Sequence, residues 1–296
     1  MKIFIAHEIT DNPWGGANQF LRNLREEFIS LGFYTESAGE ADVILFNSHH
    51  HPSRIIDLHR QYPEAKFIHR IDGPMSLYNQ SNDERDKVVH ILNESIASAT
   101  IFQSKWSQDK NYKMGLSSNN PGAVITNAAD PKLFTPNINK KESKKIRIIS
   151  TSFSDNIKKG FLTYKFIDDN LDFSKFDYVF LGRSPFNFNN IQNLGPKTTE
   201  EVAKELKKSH VYITASENDP CSNSLIEALS CKLDCFALKS GGHPEILNNV
   251  NDLLFQDEHE LLDKLKEYSH YCGDLNSAIP SIQEIAKKYL DFFSLI

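Results

Sequence analysis

The sequence predicts an α/β protein of two Rossmann-like domains, on three observations. Its 296 residues suit about two domains, each large enough to bury a core of its own. Short apolar runs alternate with amphipathic segments of helical period, the order that builds parallel sheets from strand–helix–strand units. A glycine-bearing loop follows the first strand, at Gly15–Gly16, where bare backbone at the helix start lets a ligand approach closely.

Composition narrows the classes of function. A hydrophobic content of 40% and a charged content of 24% describe an ordinary globular protein, and the net charge of -6 disfavours a general nucleic-acid role. No apolar run approaches the ~20 residues of a membrane span, and the opening M-K-I-F-I-A-H-E turns polar too soon for a signal peptide. The expectation is a cytoplasmic chain without an integral membrane segment, which leaves peripheral membrane contact open. Cysteines 221, 231, 235 and 272 form no C-x-x-C pair, so packing thiols are expected rather than a zinc site.

In chain order, Met1 to His7 reads as a strand, followed by a loop holding Pro13, Trp14, Gly15 and Gly16 and a helix from Ala17 to Leu31. Ala41 to Asn47 is a buried strand ending in Ser48-His49-His50-His51. Adjacent side chains on an extended chain alternate in direction, so these histidines are expected to form a loop at the edge of a cleft rather than to converge on a metal ion. Lys66 to Ile71 is a strand followed by Asp72-Gly73-Pro74. Helix is expected over Asp83–Ser98, strand over Thr100–Gln103, and a helix starting at Ser104-Lys105-Trp106-Ser107; Val124–Asn127 then precedes A-A-D-P-K-L-F-T-P. Charged Asn139–Lys145 reads as a linker, giving domains 1–140 and 141–280 with a terminal helix in 281–296.

The second half opens with the strand Ile146–Ser152 and a loop ending in Lys159-Gly160. A strand over Tyr178–Gly182 leads to Arg183, and Ile191–Leu194 ends in the Gly195–Pro196 turn before a helix over Thr198–Lys208. His210 to Leu247 then parses as strand, loop, helix, strand, glycine loop and short helix. Beyond it lie a strand over Asp252–Phe255 and helices over Asp257–Tyr271 and Ser281–Phe293.

The helix inside His210–Leu247 carries the candidate chemistry. From Ser222 to Ser230 it is apolar after Ser224 except for Glu227, and a carboxylate in such a place needs hydroxyl or amide donors. A ribose diol supplies two. Pro220 is expected to open this helix, leaving the N–H groups of Cys221, Ser222, Asn223 and Ser224 as a seat for phosphate.

Asp219 and Glu227 enclose seven residues, and Glu227 opens an E-A-L-S-C string followed by G-G-H-P-E. This pattern resembles the E-x7-E motif of retaining nucleotide-sugar glycosyltransferases of the GT-B fold, especially family four, the glycosyl transferases group 1. The resemblance extends over most of the chain. It implies two Rossmann-like domains facing one another across a cleft, with the C-terminal helix returning to the first. It further implies that Glu227 holds the ribose, Asp219 lies against the donor sugar, and Lys159 neutralises the diphosphate. Gly15 and Gly16 would face the donor, and Gly195 would lie near the base. For the histidine that many members carry near the donor sugar, Asp72 and His69 are the two candidates. The family's N-G-V-D...F-x-P stretch is matched by A-A-D-P-K-L-F-T-P.

The chain departs from this pattern in carrying Asp219 for glutamate, Lys232 and Asp234 for glycine and proline, and Phe153-Ser154 where an arginine is usual. Arg183 is the expected substitute cation. The implied reaction is retaining glycosyl transfer to a glycan or glycolipid hydroxyl in surface glycan or polysaccharide assembly, needing neither metal nor cofactor beyond the nucleotide-sugar donor. A non-catalytic nucleotide-sugar or glycan-binding protein, or a GT-B epimerase or phosphorylase, stands as the alternative.

Overall fold

The computed structural model describes residues 1–9, 15–79, 82–136, 144–268 and 279–296. The chain divides into two compact units, Met1–Ala128 with Pro280–Ile296, and Ala129–Ile279. The division precedes the charged stretch near 140, because Ala129, Leu133 and Phe134 already pack on the apolar core of the second unit. Most of that charged stretch, the loop residues Pro13 and Trp14, and Cys272 lie outside the described residues.

In the first unit, β1 (Ile3–Ile5), β2 (Val43–Asn47), β3 (Lys66–Ile71), β4 (Ala99–Phe102) and β5 (Gly122–Val124) form a parallel sheet in that order. The helices between them are α1 (Gly15–Ser30), α2 (Pro52–Gln61), α3 (Met75–Tyr78), α4 (Arg85–Ile96) and α5 (Lys105–Lys113). β2 is apolar up to its last residue because both its faces are covered. On one face α1 packs Phe20, Leu21, Leu24 and Phe28 against Ile3, Ile5, Val43 and Leu45. On the other α2 packs Ile55 against Phe4, Ile44 and Phe46.

The path of the chain gives this sheet a switch point. Ile3 pairs with Val43 on one side and bridges Tyr34 on the other, so α1 leads out to one edge of β1 while α2 leads from β2 toward β3. Where winding reverses, the loops diverge and leave room for a ligand outside the carboxyl ends of the strands.

The second unit repeats the plan. Its elements are β6 (Ile146–Ser152), α6 (Phe161–Asn170), β7 (Phe176–Gly182), β8 (Gln192–Asn193), α7 (Thr199–Lys208), β9 (Val211–Thr214), α8 (Asn223–Ser230), β10 (Asp234–Leu238), α9 (His243–Ile246), β11 (Leu254–Phe255) and α10 (Glu258–Glu267). The parallel sheet has the order β11-β10-β9-β6-β7-β8, with α6 and α10 on one face and α7 and α8 on the other. Its switch point falls between β6 and β9, the strands that lead to Lys159 and Asp219.

The last helix, α11 (Ile282–Phe293), starts from a capping box between Ser281 and Glu284. It buries Ile282, Ile285, Tyr289 and Phe293 in the core of the first unit, with Tyr289 between Phe20 and Phe28. Three helices, α2, α3 and α6, occupy stretches for which the sequence suggested no element. Pro52 stands at the first turn of α2, and Gly160 precedes α6. The strand expected over Ile191–Leu194 shrinks to Gln192–Asn193 at the sheet edge.

Candidate functional site

The site of the second unit is assembled from the loops after β6, β9 and β10. The loop after β6 ends in a single turn of 3-10 helix, Ile157–Lys159, and Gly160 follows at φ 90°. A Cβ on Gly160 would lie 2.4 Å from the Cβ of Ala215, so only glycine lets this loop close on the end of β9. The amide of Glu217 completes the closure, donating to the carbonyl of Lys158 at 2.8 Å. Lys159 is thereby delivered to Asp219, with Nζ to Oδ2 at 3.2 Å.

Asp219 is held from a third side by the loop after β10. Gly241, at φ 62°, lies so close that a Cβ there would meet the Asp219 carbonyl oxygen at 2.2 Å, and the amide of Gly242 donates to the same carbonyl at 2.8 Å. Burial by itself would raise the Asp219 carboxyl. The ammonium of Lys159, the nearby His243 and the amide of Cys221, which donates to Oδ1 at 3.2 Å, together hold it below the ordinary carboxylate value. Asp219 therefore keeps its negative charge at neutral pH.

This geometry corrects one expectation. α8 starts at Asn223 rather than beside Pro220, with Ser222 as its cap accepting from the Leu225 amide at 3.4 Å. The Cys221 amide faces Asp219 instead of standing open for a phosphate, because the loop turns back on itself before the helix begins. Ser222, Asn223 and Ser224 remain as the first turn of the helix.

One turn further, Glu227 is half-buried and its carboxyl makes no hydrogen bond or ion pair among the described residues. Desolvation without a compensating cation pushes its carboxyl up to about 8. Beneath it lies Tyr212 of β9, fully buried, whose hydroxyl contacts Thr151 at 3.3 Å and interacts with Ser224. Burial, then the neighbouring Tyr164, and also the charge of Glu227, raise the Tyr212 hydroxyl, so Tyr212 stays a neutral donor.

His243 was not singled out in the sequence beyond its place in G-G-H-P-E. It is fully buried, and its Nδ1–H donates to the carbonyl of Leu238 at 2.9 Å. Burial lowers its basicity, leaving Nε2 as a lone-pair acceptor with no partner among the described residues.

Arg183 lies exposed at the end of β7, its guanidinium 5.1 Å from the centroid of the Phe153 ring. Ser152 pairs with Gly182, so Arg183 stands beside the residues that occupy the place of the family's arginine. Gly195, at φ 70°, forms its turn with its carbonyl accepting from the Gly182 amide at 2.9 Å.

Residues 181–270, which contain most of this arrangement, match the family model of glycosyl transferases group 1. The chain resembles that family. Its fold is GT-B, as the solved structures it matches make plain. A sucrose-phosphate synthase from Thermosynechococcus elongatus superposes with a TM-score of 0.77 at 15% identity, covering 99% of this chain and 97% of that one. The Anabaena protein HepE in complex with UDP and glucose gives a TM-score of 0.73 at 15% identity, covering 99% of each chain. An Escherichia coli trehalose-6-phosphate protein bound with UDP-2-fluoro glucose gives 0.66 at 10% identity, covering 95% of this chain and 78% of that one. No curated protein matches the chain in sequence.

The glycosyltransferase resemblance also drew attention to the first unit. Gly15 and Gly16 form the start of α1. Asp72, just past β3, accepts from the amide nitrogen of Gln103, and its backbone carbonyl accepts from Ser107 at 3.1 Å and Asn111 at 3.0 Å. His69 is fully buried, its Nε2–H donating to the Ser48 carbonyl at 2.9 Å and its Nδ1 accepting from Asn93 at 3.2 Å. With both ring nitrogens engaged and its ring stacked 4.2 Å from Phe46, His69 belongs to the sheet core, which leaves Asp72 as the candidate of the two. Among the described residues, no helix is long and apolar enough to cross a membrane.

Proposed function

We propose that this protein is a glycosyltransferase that moves a sugar from a nucleoside-diphosphate sugar to a hydroxyl of a glycan or glycolipid, with retention and without a metal ion. The observation that carries the reading is Glu227, a carboxyl on an apolar helix, unpaired among the described residues and one turn from the helix start. A ribose diol would supply the donors it lacks, and the first turn of α8 would receive the diphosphate.

The rest of the site fits the departure of that diphosphate. Lys159 and Asp219 form an ion pair, so a diphosphate can compete for Lys159 while Asp219 turns to a sugar hydroxyl. Arg183 would supply the second cation that the Phe153-Ser154 segment lacks. Stabilising the leaving diphosphate lowers the barrier directly, and the same group can take the acceptor proton, which explains why no separate base pair is needed. The setting we favour is surface glycan assembly.

A thermal-shift screen against uridine, guanosine and adenosine diphosphate sugars tests donor binding, since a ligand selective for the folded chain raises its melting temperature. UDP-glucose, found with HepE, is the first member to try. The proposal expects a donor that stabilises the wild type, stabilises Glu227→Gln far less, and is turned over when a glycan acceptor is added. Stabilisation without turnover across a broad acceptor panel would favour the binding-protein reading, whose motivation is the shortened acid at Asp219. For Arg183→Ala the expected result is turnover lowered by about tenfold, a loss of about 1.4 kcal/mol in transition-state stabilisation. Unchanged turnover removes Arg183 from the mechanism.

A further inference from the structure

The first unit holds a second cluster, at its own switch point between β1 and β2. His7 follows β1, and Ser48, His49, His50 and His51 follow β2. The sequence argument that adjacent histidines must diverge fails here. Ser48 and His51 adopt left-handed backbone, at φ 49° and 52°, so the segment is a turn rather than an extended chain. The rings of His49 and His50 stack at 4.4 Å, and His7 meets His50 edge-on at 5.1 Å.

These imidazoles lack partners. No ring nitrogen of His7, His49 or His50 has a hydrogen-bond partner among the described residues, and the Nδ1 atoms of His7 and His49 are buried as well. The floor is short of acceptors in the same way. Arg70 is fully buried, its guanidinium bonded to Asn47 at 2.5 Å and Asn127 at 2.7 Å and lying 4.8 Å from the Phe20 ring. Its Nε and the Nδ2 of Asn47, both obligate donors, find no acceptor, and neither does the Ser48 hydroxyl.

A donor-rich cluster built near a buried cation is completed by a group that offers only acceptor oxygens. A metal ion does not meet this need, since it would compete with Arg70 for lone pairs and leave the floor donors unmatched. We propose that the carboxyl edge of the first sheet, where His7, His49 and His50 gather near Arg70, is a binding site for a phosphate group carried by the acceptor.

The unliganded rings are held neutral. Burial, reinforced by the neighbouring rings and cations, pushes His7 and His49 down to about 4 and lowers His50. The charged groups facing them are Arg70 and Asp72 at the end of β3, and Asp83 and Arg85 before and at the start of α4. Glu8 lies 3.9 Å from His51. Asp72 is paired with Arg70 and Asp83 with Arg85, so no carboxylate is left over for the rings. The empty site is therefore close to neutral and gains positive charge only when an anion arrives to balance it.

This inference rests on the transferase reading for the word acceptor, but its test needs neither donor nor turnover. Imidazole signals of the full-length protein are followed by NMR while inorganic phosphate, then a hexose 6-phosphate, then the unphosphorylated hexose are titrated. The expected result is that phosphate moves the His7, His49 and His50 rings and raises at least one of their pKa values by about one unit, a linkage of about tenfold in affinity. The hexose phosphate does the same at lower concentration, and the parent hexose does neither. The double variant His49→Gln with His50→Gln loses the response of His7. Rings that ignore phosphate, or that respond equally to the unphosphorylated sugar, overturn the proposal. A phosphate response in a protein that turns over no donor leaves this site standing and removes the transferase reading instead.

Discussion

Glu227 and Asp219 are both carboxyls of the loop and helix after β9, and their surroundings drive them in opposite directions. Lys159 keeps Asp219 ionised, while desolvation without a cation keeps Glu227 protonated up to about pH 8. Holding a ribose diol requires the ionised form, so nucleotide affinity measured by titration calorimetry is expected to rise as pH passes through about 8 and to level off above it. The stability of the unliganded protein follows the opposite sign. The folded state holds the Glu227 proton more tightly than the unfolded chain, whose value is near 4.5, so its contribution to stability is lost as pH rises from there toward about 8. Glu227→Gln should therefore raise the melting temperature at pH 8 and weaken nucleotide binding by about tenfold or more, since a hydrogen bond to a charged group contributes about 1.5–3 kcal/mol. Lys159→Ala should lower turnover by about 100-fold, the scale seen when a group that stabilises developing charge is removed.

At the scale of elements, the site depends on loops that touch backbone to backbone. Gly241 is the point of closest approach, and any side chain there meets the Asp219 carbonyl. Gly241→Ala is expected to cost about 2 kcal/mol or more in urea denaturation, combining a left-handed φ with a clash, and to weaken donor binding with it. The loop after β7 is anchored differently. Asp168 of α6, fully buried, accepts from the amides of Asn189, Asn190 and Ile191 at 2.7–2.8 Å, shaping the approach to β8. Sequence pattern located the strands and α8 because their apolar residues recur at strand or helix spacing. It missed α2 and α6, whose starts depend on a left-handed residue at His51 and at Gly160, a backbone choice that periodicity does not record.

Across the whole molecule, the last helix and the first share one core. Tyr289 fills the space between Phe20 and Phe28 although the second unit intervenes in sequence. Tyr289→Ala should destabilise the first unit by about 3–5 kcal/mol, the usual cost of emptying a buried aromatic site. Limited proteolysis should then cut the first unit sooner and leave the second unit's cleavage unchanged. Even cleavage of both units would mean that they unfold as one.

By itself the sequence determined the α/β class, the two-part plan, and the Asp219–Glu227 spacing, because strand and helix periodicity and motif spacing are local properties; Lys159 joined these two acids only through the resemblance to the family. It also marked the histidine triplet as unusual. Tertiary structure alone decided which polar atoms are left without partners. The Cys221 amide turned to Asp219, His69 entered the sheet core, His243 kept one buried lone pair without a partner, and three imidazoles from two strand ends gathered near a buried Arg70. Satisfaction of a buried polar group depends on neighbours distant in the chain, and those neighbours are set by strand order and left-handed turns rather than by sequence spacing.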